Sequence, residues 1–184
     1  MHHNRNIILI GFMGTGKTTI GRALADQLKR DFVDMDAELE ACAGKPIPRI
    51  FAEDGEPEFR RMERNLVAEL SRRSNLVIAA GGGVVLDPDN IRDFSATGHV
   101  ICLKALPDEI IRRVSGSSHR PLLEQGDKGA RIRKLLCQRQ PLYDAIPCKV
   151  DTTGKAPAEI LGLVLANISN SKLQFSNKQD NYRK

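Results

Sequence analysis

A chain of 184 residues, 41% of them hydrophobic and with a formal charge of +5, is the size of one core-forming domain, because two ordinary cores would need more sequence. Its longest nearly apolar run, Leu76 to Leu86, is eleven residues interrupted by three glycines, short of the roughly 18 to 20 that span a bilayer, so no membrane partner is expected. Part of the charge falls in the last fifteen residues, where Lys172, Lys178, Arg183 and Lys184 face only Asp180; the remainder is near neutral, and no nucleic-acid partner is expected either.

The start, Met1-His2-His3-Asn4-Arg5, passes directly into Asn6 to Ile10, an apolar run that reads as a buried first strand. No signal peptide precedes it, which points to the cytoplasm. There follows Gly11-Phe12-Met13-Gly14-Thr15-Gly16-Lys17-Thr18, the spacing G-x-x-x-x-G-K-[ST] of a phosphate-binding loop, and Thr19 to Leu28 reads as the helix after it. Glycine lets backbone N–H groups turn inward around phosphates at a positive helix N-terminus. Lys17 can reach the β and γ oxygens, and the Thr18 hydroxyl can ligate Mg²⁺. Gly11, Gly14, Thr15, Gly16, Lys17, Thr18 and Thr19 are thus the candidate residues for a nucleoside triphosphate.

Phe32 to Met35 reads as a second strand, and Asp34-Met35-Asp36 at its end would point two carboxylates to one side of an extended backbone. One would serve Mg²⁺ and the other a substrate hydroxyl. A second reading of Asp36 is an N-cap for the helix-like Ala37 to Ala43, and the two roles are compatible. Gly55 to Glu63 then opens a helix with Phe59, Met62, Leu66 and Leu70 on its apolar side, and Arg60 and Glu63 become neighbours that can pair on its surface. A third strand, Leu76 to Ala80, ends in Gly81-Gly82-Gly83, where bare backbone either offers N–H groups to a ligand or simply turns.

His99 to Leu103 reads as the fourth strand. The segment from about 115 to 127 is rich in turn residues yet carries Arg120 and the pair Leu122-Leu123. It reads either as a lid that excludes water during phosphoryl transfer or as a surface loop. Arg139-Gln140-Pro141-Leu142-Tyr143 places an arginine at an expected helix end, because Pro141 disfavours further helix. Arg60 and Arg139 could fork onto one carboxylate. Cys148 to Asp151 is the fifth strand, and Ile160, Leu161, Val164 and Ile168 mark a last helix. Cys42, Cys102, Cys137 and Cys148 lack metal or redox spacing and are expected as free thiols.

Strands alternating with helices predict a three-layer α/β domain over residues 1–169, its parallel sheet covered on both faces and its ligands beyond the carboxyl ends of the strands. The polar stretch 170–184 predicts a disordered basic tail. No exposed apolar helix face stands out, so a monomer is expected.

Taken together, Gly11-x-x-Gly14-x-Gly16-Lys17-Thr18, Asp34-x-Asp36, Ile50-Phe51-Ala52-Glu53-x-Gly55-Glu56-x-x-Phe59-Arg60-Arg61-x-Glu63, Gly81-Gly82-Gly83, Arg120-Pro121-Leu122-Leu123 and Arg139-x-Pro141-x-Tyr143 resemble the shikimate kinases over roughly residues 6 to 168. The resemblance implies a cytoplasmic P-loop kinase of the nucleoside-monophosphate-kinase type, with a five-stranded parallel sheet in the order 2-3-1-4-5. It implies transfer of the γ-phosphoryl of ATP to the 3-hydroxyl of shikimate, on the route to chorismate and the aromatic amino acids. By the same resemblance Lys17, Asp36 and Arg120 are catalytic and Thr18 and Asp34 hold Mg²⁺. Asp36, Arg60, Gly81, Gly82, Gly83 and Arg139 bind the acid. Adenine lies between Arg112 or Arg113 and the turn from Thr152 to Pro157. The lid is less basic before Arg120 than in many members, and the tail has no counterpart. Two other readings fit the same loop: a kinase for another sugar acid such as gluconate, and a sensing domain that binds without turnover.

Overall fold

The computed structural model describes residues 4–115 and 127–180, with backbone only from 171 onward. Arg120 and nearly all of the expected lid therefore lie outside the described residues. Five parallel strands, β1 (Asn6–Ile10), β2 (Asp31–Asp34), β3 (Leu76–Ala79), β4 (Gly98–Lys104) and β5 (Cys148–Asp151), form one sheet in the order β2-β3-β1-β4-β5. The helices are α1 (Lys17–Leu28), α2 (Met35–Ala43), α3 (Ile47–Glu53), α4 (Gly55–Leu70), α5 (Pro88–Thr97), α6 (Pro107–Val114), α7 (Lys128–Asp144) and α8 (Pro157–Asp180), with a 3₁₀ turn at Val84–Leu86.

Alternation along β1 sorts the core into two faces. Ile7 and Leu9 pack with Ile20 and Leu24 of α1 and Ile160 and Val164 of α8. Ile8 and Ile10 pack on the other face with Val67 of α4, Phe94 of α5, Ile110 of α6 and Ile132 of α7. Every residue of β1 is fully buried, as expected for a central strand covered by helices on both sides. A small third cluster, Leu39, Ile50 and Phe59, ties α2, α3 and α4 into a separate knot beside the sheet. No described helix is long and apolar enough to cross a membrane.

Strand register places the chemistry. Leu9 and Asp34 both pair with Ala79, so the loops leaving β1, β2 and β3 start at one level along one edge of the sheet. The phosphate loop, Asp34 to Asp36 and the glycine triplet are side by side for this reason.

Two expectations are corrected. Strand β2 ends at Asp34 and Met35 begins α2, because Asp34 itself is the N-cap, accepting the Asp36 N–H at 3.1 Å. Asp36 is therefore in the first turn of a helix and neither in a strand nor a cap. Pro141 does not end its helix, which continues to Asp144. Pro141 and Cys137, whose carbonyl loses its partner at the proline, are both exposed, so water can satisfy the freed group. Beyond the proline, Tyr143 and Ile146 are buried in the core and hold the last turn. The last helix, α8, runs to Asp180.

Candidate active site

The phosphate loop is shaped by its contacts with the sheet. Gly11 has φ +140°, and a Cβ there would lie 2.1 Å from the Leu103 carbonyl oxygen of β4, so no larger residue fits. Thr15 is buried and donates its hydroxyl to the Phe12 carbonyl at 2.8 Å, which braces the loop from inside. Gly16 caps α1. Lys17 lies back over the loop, its Nζ donating to the carbonyls of Gly11 at 2.8 Å and Phe12 at 3.0 Å. The Thr18 hydroxyl donates to Asp34 Oδ2 at 2.8 Å.

Lys17, Thr18 and Asp34, but neither Gly11 nor the buried Thr15, line one cleft of about 310 Å³, walled by Met13, Gly14, Gly16, Lys17, Thr18, Thr19, Asp34, Asp36, Ala79, Ala80, Gly82 and Arg113. Its size is in the range of small-ligand sites, roughly 300 to 1,000 Å³. Arg113 closes one end. It donates to the Gly14 carbonyl at 3.3 Å, the Thr152 hydroxyl at 3.0 Å and the Thr152 carbonyl at 2.7 Å, tying the phosphate loop to the turn after β5. Arg112 is exposed and pairs with Glu109, whose carboxyl is held down to about 2 chiefly by that hydrogen bond. Pro157 is exposed at the first turn of α8 and is not on the cleft wall.

At the other end each glycine of the triplet meets a different partner. A Cβ on Gly81 would lie 2.8 Å from Asp36 Oδ1 and 3.1 Å from Glu63 Oε1, so both carboxylates reach the same point above it. The Gly82 carbonyl accepts from Tyr143 at 2.6 Å and from Arg139 at 3.3 Å. On Gly83 a Cβ would collide with the Arg60 guanidinium at 2.2 Å. The triplet is thus a floor on which side chains from α2, α4 and α7 converge, and the close approaches to Gly81 and Gly83 are what a turn alone would not require. Arg60 and Arg139 come from distant segments, yet both charges act on the Glu63 carboxyl.

Glu63 is the site residue that sequence reasoning passed over. It is 1% exposed and pairs with Arg60 at 2.7 Å. Its other oxygen, Oε1, has no hydrogen-bond partner among the described residues. Burial raises its pKa, and Asp36 adds to the rise, against the pull of Arg60 and Arg139. In sequence Glu63 resembles any surface partner of Arg60; the period of the apolar side, Phe59, Met62 and Leu66, is the available sign that position 63 turns inward. Tyr143 stands out in the sequence only as the end of a motif. Burial pushes its hydroxyl up to about 12, so it stays a donor to Gly82 at neutral pH. The cysteines are free, and Cys102, pushed up to about 11 by burial, is an unreactive thiol.

No three His, Cys, Asp or Glu side chains among the described residues group into a metal cage. Thr18 with Asp34 nevertheless suits Mg²⁺, which takes one or two protein oxygens and completes its octahedron with water and phosphate.

The fold defines a P-loop kinase: a five-stranded parallel sheet in the order 2-3-1-4-5, with a phosphate loop opening on a cleft whose wall holds Asp34, Asp36 and Arg113. A model of the shikimate kinase family matches residues 13–169. The shikimate kinase of Pelotomaculum thermopropionicum is 51% identical over 80% of this chain and 86% of its own, and that of Desulforudis audaxviator 48% identical over 88% and 85%. The shikimate kinase of Acinetobacter baumannii in complex with shikimate superposes with a TM-score of 0.87 at 36% identity, covering 92% of this chain and 95% of that one. A gluconokinase from Sinorhizobium meliloti shares the fold at a TM-score of 0.63 and 17% identity. The chain belongs to the shikimate kinase family.

Proposed function

We propose a residue-level reading of how this cleft performs the family's reaction. The chain phosphorylates the 3-hydroxyl of shikimate with ATP, giving shikimate 3-phosphate for aromatic amino-acid synthesis. The triphosphate sits in the phosphate loop, on the N–H groups of Gly14 to Thr19 at the positive end of α1. Lys17 exchanges its two backbone carbonyls for β and γ oxygens, a charge-assisted contact stronger than those it leaves. Thr18 and Asp34 would hold Mg²⁺, which would supply positive charge against the phosphates.

Arg60 over Gly83 and Arg139 beside Gly82 bind the carboxylate of the acid, and Asp36 with Glu63 Oε1 accepts hydrogen bonds from its hydroxyls above Gly81. Asp36 orients the 3-hydroxyl; its proton leaves to that carboxylate as the new P–O bond forms and the bond to the bridging oxygen breaks, releasing ADP. Arg120 arrives with the lid to stabilise the transferring phosphoryl, and Arg113 and the turn from Thr152 to Pro157 receive adenine. The protein works as a cytoplasmic monomer, in keeping with exposed leucines that fall on separate elements: Leu86 on the 3₁₀ turn, Leu106 before α6, Leu142 on α7 and Leu163 on α8.

The observation that carries this reading is a single cleft in which Lys17 and Thr18 face Asp36 and Gly82. ADP release followed with shikimate and with gluconate, with Mg²⁺ and with EDTA, tests it. Turnover that depends on shikimate and on Mg²⁺ is expected. Equal turnover with gluconate, or none with shikimate from folded protein, overturns it.

A further inference from the structure

The glycine floor is held from two sides. From α7, Tyr143 and Arg139 hold the Gly82 carbonyl. From the opposite side a relay of three residues reaches it. Asn90 of α5, 1% exposed, donates its amide to the Val84 carbonyl at 3.2 Å and accepts from the Arg64 guanidinium at 3.2 Å. Arg64 uses its second nitrogen on Asp93 of α5. Val84 directly follows Gly83, and backbone bonds from Val84 N to Gly81 O at 3.2 Å and from Leu86 N to Gly83 O at 2.9 Å make this stretch one stiff turn.

Arg64 is one helical turn beyond Arg60 on α4, so the two share a face. That face therefore touches the floor segment twice: Arg60 lies directly on Gly83, and Arg64 acts on the next residue through Asn90. A buried amide that uses its donor on one element and its acceptor on another fixes the distance between them, since loss of either bond leaves a polar group unpaired.

We infer that Arg64 and Asn90 are positioning residues for the acid site, a strap that sets the height of the Arg60 guanidinium above Gly83. The inference rests on the assignment of Arg60 and the glycine floor to the acid. The strap reaches neither the phosphate loop nor α1, so it governs affinity for the acid and not for ATP. A misplacement of about 1 Å at such a site costs up to about a hundredfold.

Two variants isolate the strap from general stability. Arg64→Lys retains a cation for Asp93 and gives up the branch to Asn90. Asn90→Asp retains the acceptor for Arg64 and replaces the donor to Val84 with an oxygen. Both should raise KM for shikimate by about tenfold with KM for ATP within about twofold, and the double variant should be little worse than either single one, because they break one chain. Arg60→Lys is the control. If it raises KM for shikimate and the strap variants, folded by circular dichroism, do not, or if they raise both KM values equally, the strap is refuted and the acid site stands. If Arg60→Lys leaves KM for shikimate unchanged, the acid site is refuted and the strap with it.

Discussion

At the phosphate end of the cleft the frame is one stretch of backbone; at the end proposed for the acid it is a set of side chains from separate helices. The first is one contiguous loop between β1 and α1, braced by Thr15 inside itself and by close approach of Gly11 to β4. The second gathers Asp36 from α2, Arg60 and Glu63 from α4 and Arg139 and Tyr143 from α7 over three bare glycines. A backbone cradle binds what every triphosphate has, whereas dispersed side chains can be chosen for one acceptor. The two ends should therefore fail differently when damaged.

The largest effect is expected from Lys17→Ala. Its ammonium lies 2.8 Å and 3.0 Å from two carbonyls of the loop, contacts the backbone can lose to water, so the variant should fold with a melting temperature close to the parent. Loss of a donor aimed at developing charge lowers kcat by about 10²- to 10³-fold. Single-turnover chemistry checks this, and near-normal turnover would remove Lys17 from the reaction. Arg139→Ala should act on the other end alone. It removes a charge-assisted contact, worth about 1.5 to 3 kcal/mol, or about 10- to 150-fold in KM for shikimate, with little change for ATP. Equal loss for both substrates would mean the two ends are not separable at this residue.

The same division explains what could be read from the chain. Glycines, a lysine and a threonine in fixed order between an apolar run and a helix have one physical purpose, and β1, β3 and β4 followed from largely apolar runs. The proposed acid site has no local signature. Arg60 and Arg139 are 79 positions apart in number, and only packing of α4 and α7 around the glycine floor brings their charges onto Glu63. Their assignment came from resemblance to a family, and Glu63, which looks like an ordinary helix-surface partner, was missed. Pro141 misled for a related reason: its local preference to end a helix is overridden by Tyr143 and Ile146, whose burial is a tertiary fact.

Glu63 offers the finest test of the contrast, because its cost falls on the fold and its use lies in the site. Burial raises its pKa above the ordinary carboxyl range, so between the unfolded and folded values the native state holds more protons than the unfolded one, and stability falls as pH rises. Glu63→Gln cannot ionise and should lack this decline. Relative to the variant, the parent should be at its most stable below the ordinary glutamate range and should lose ground as pH passes through the raised value, by about 1.4 kcal/mol for every tenfold difference in proton affinity between the folded and unfolded chain. Thermal unfolding of both proteins across that range reads the difference directly. At the same time the amide keeps an oxygen for Arg60 but surrenders the charge, so KM for shikimate should rise while KM for ATP holds. A parallel pH dependence in the two proteins would mean that the carboxylate is fully compensated by Arg60 and Arg139, and that the acid end, like the phosphate end, carries no buried charge at the expense of the fold.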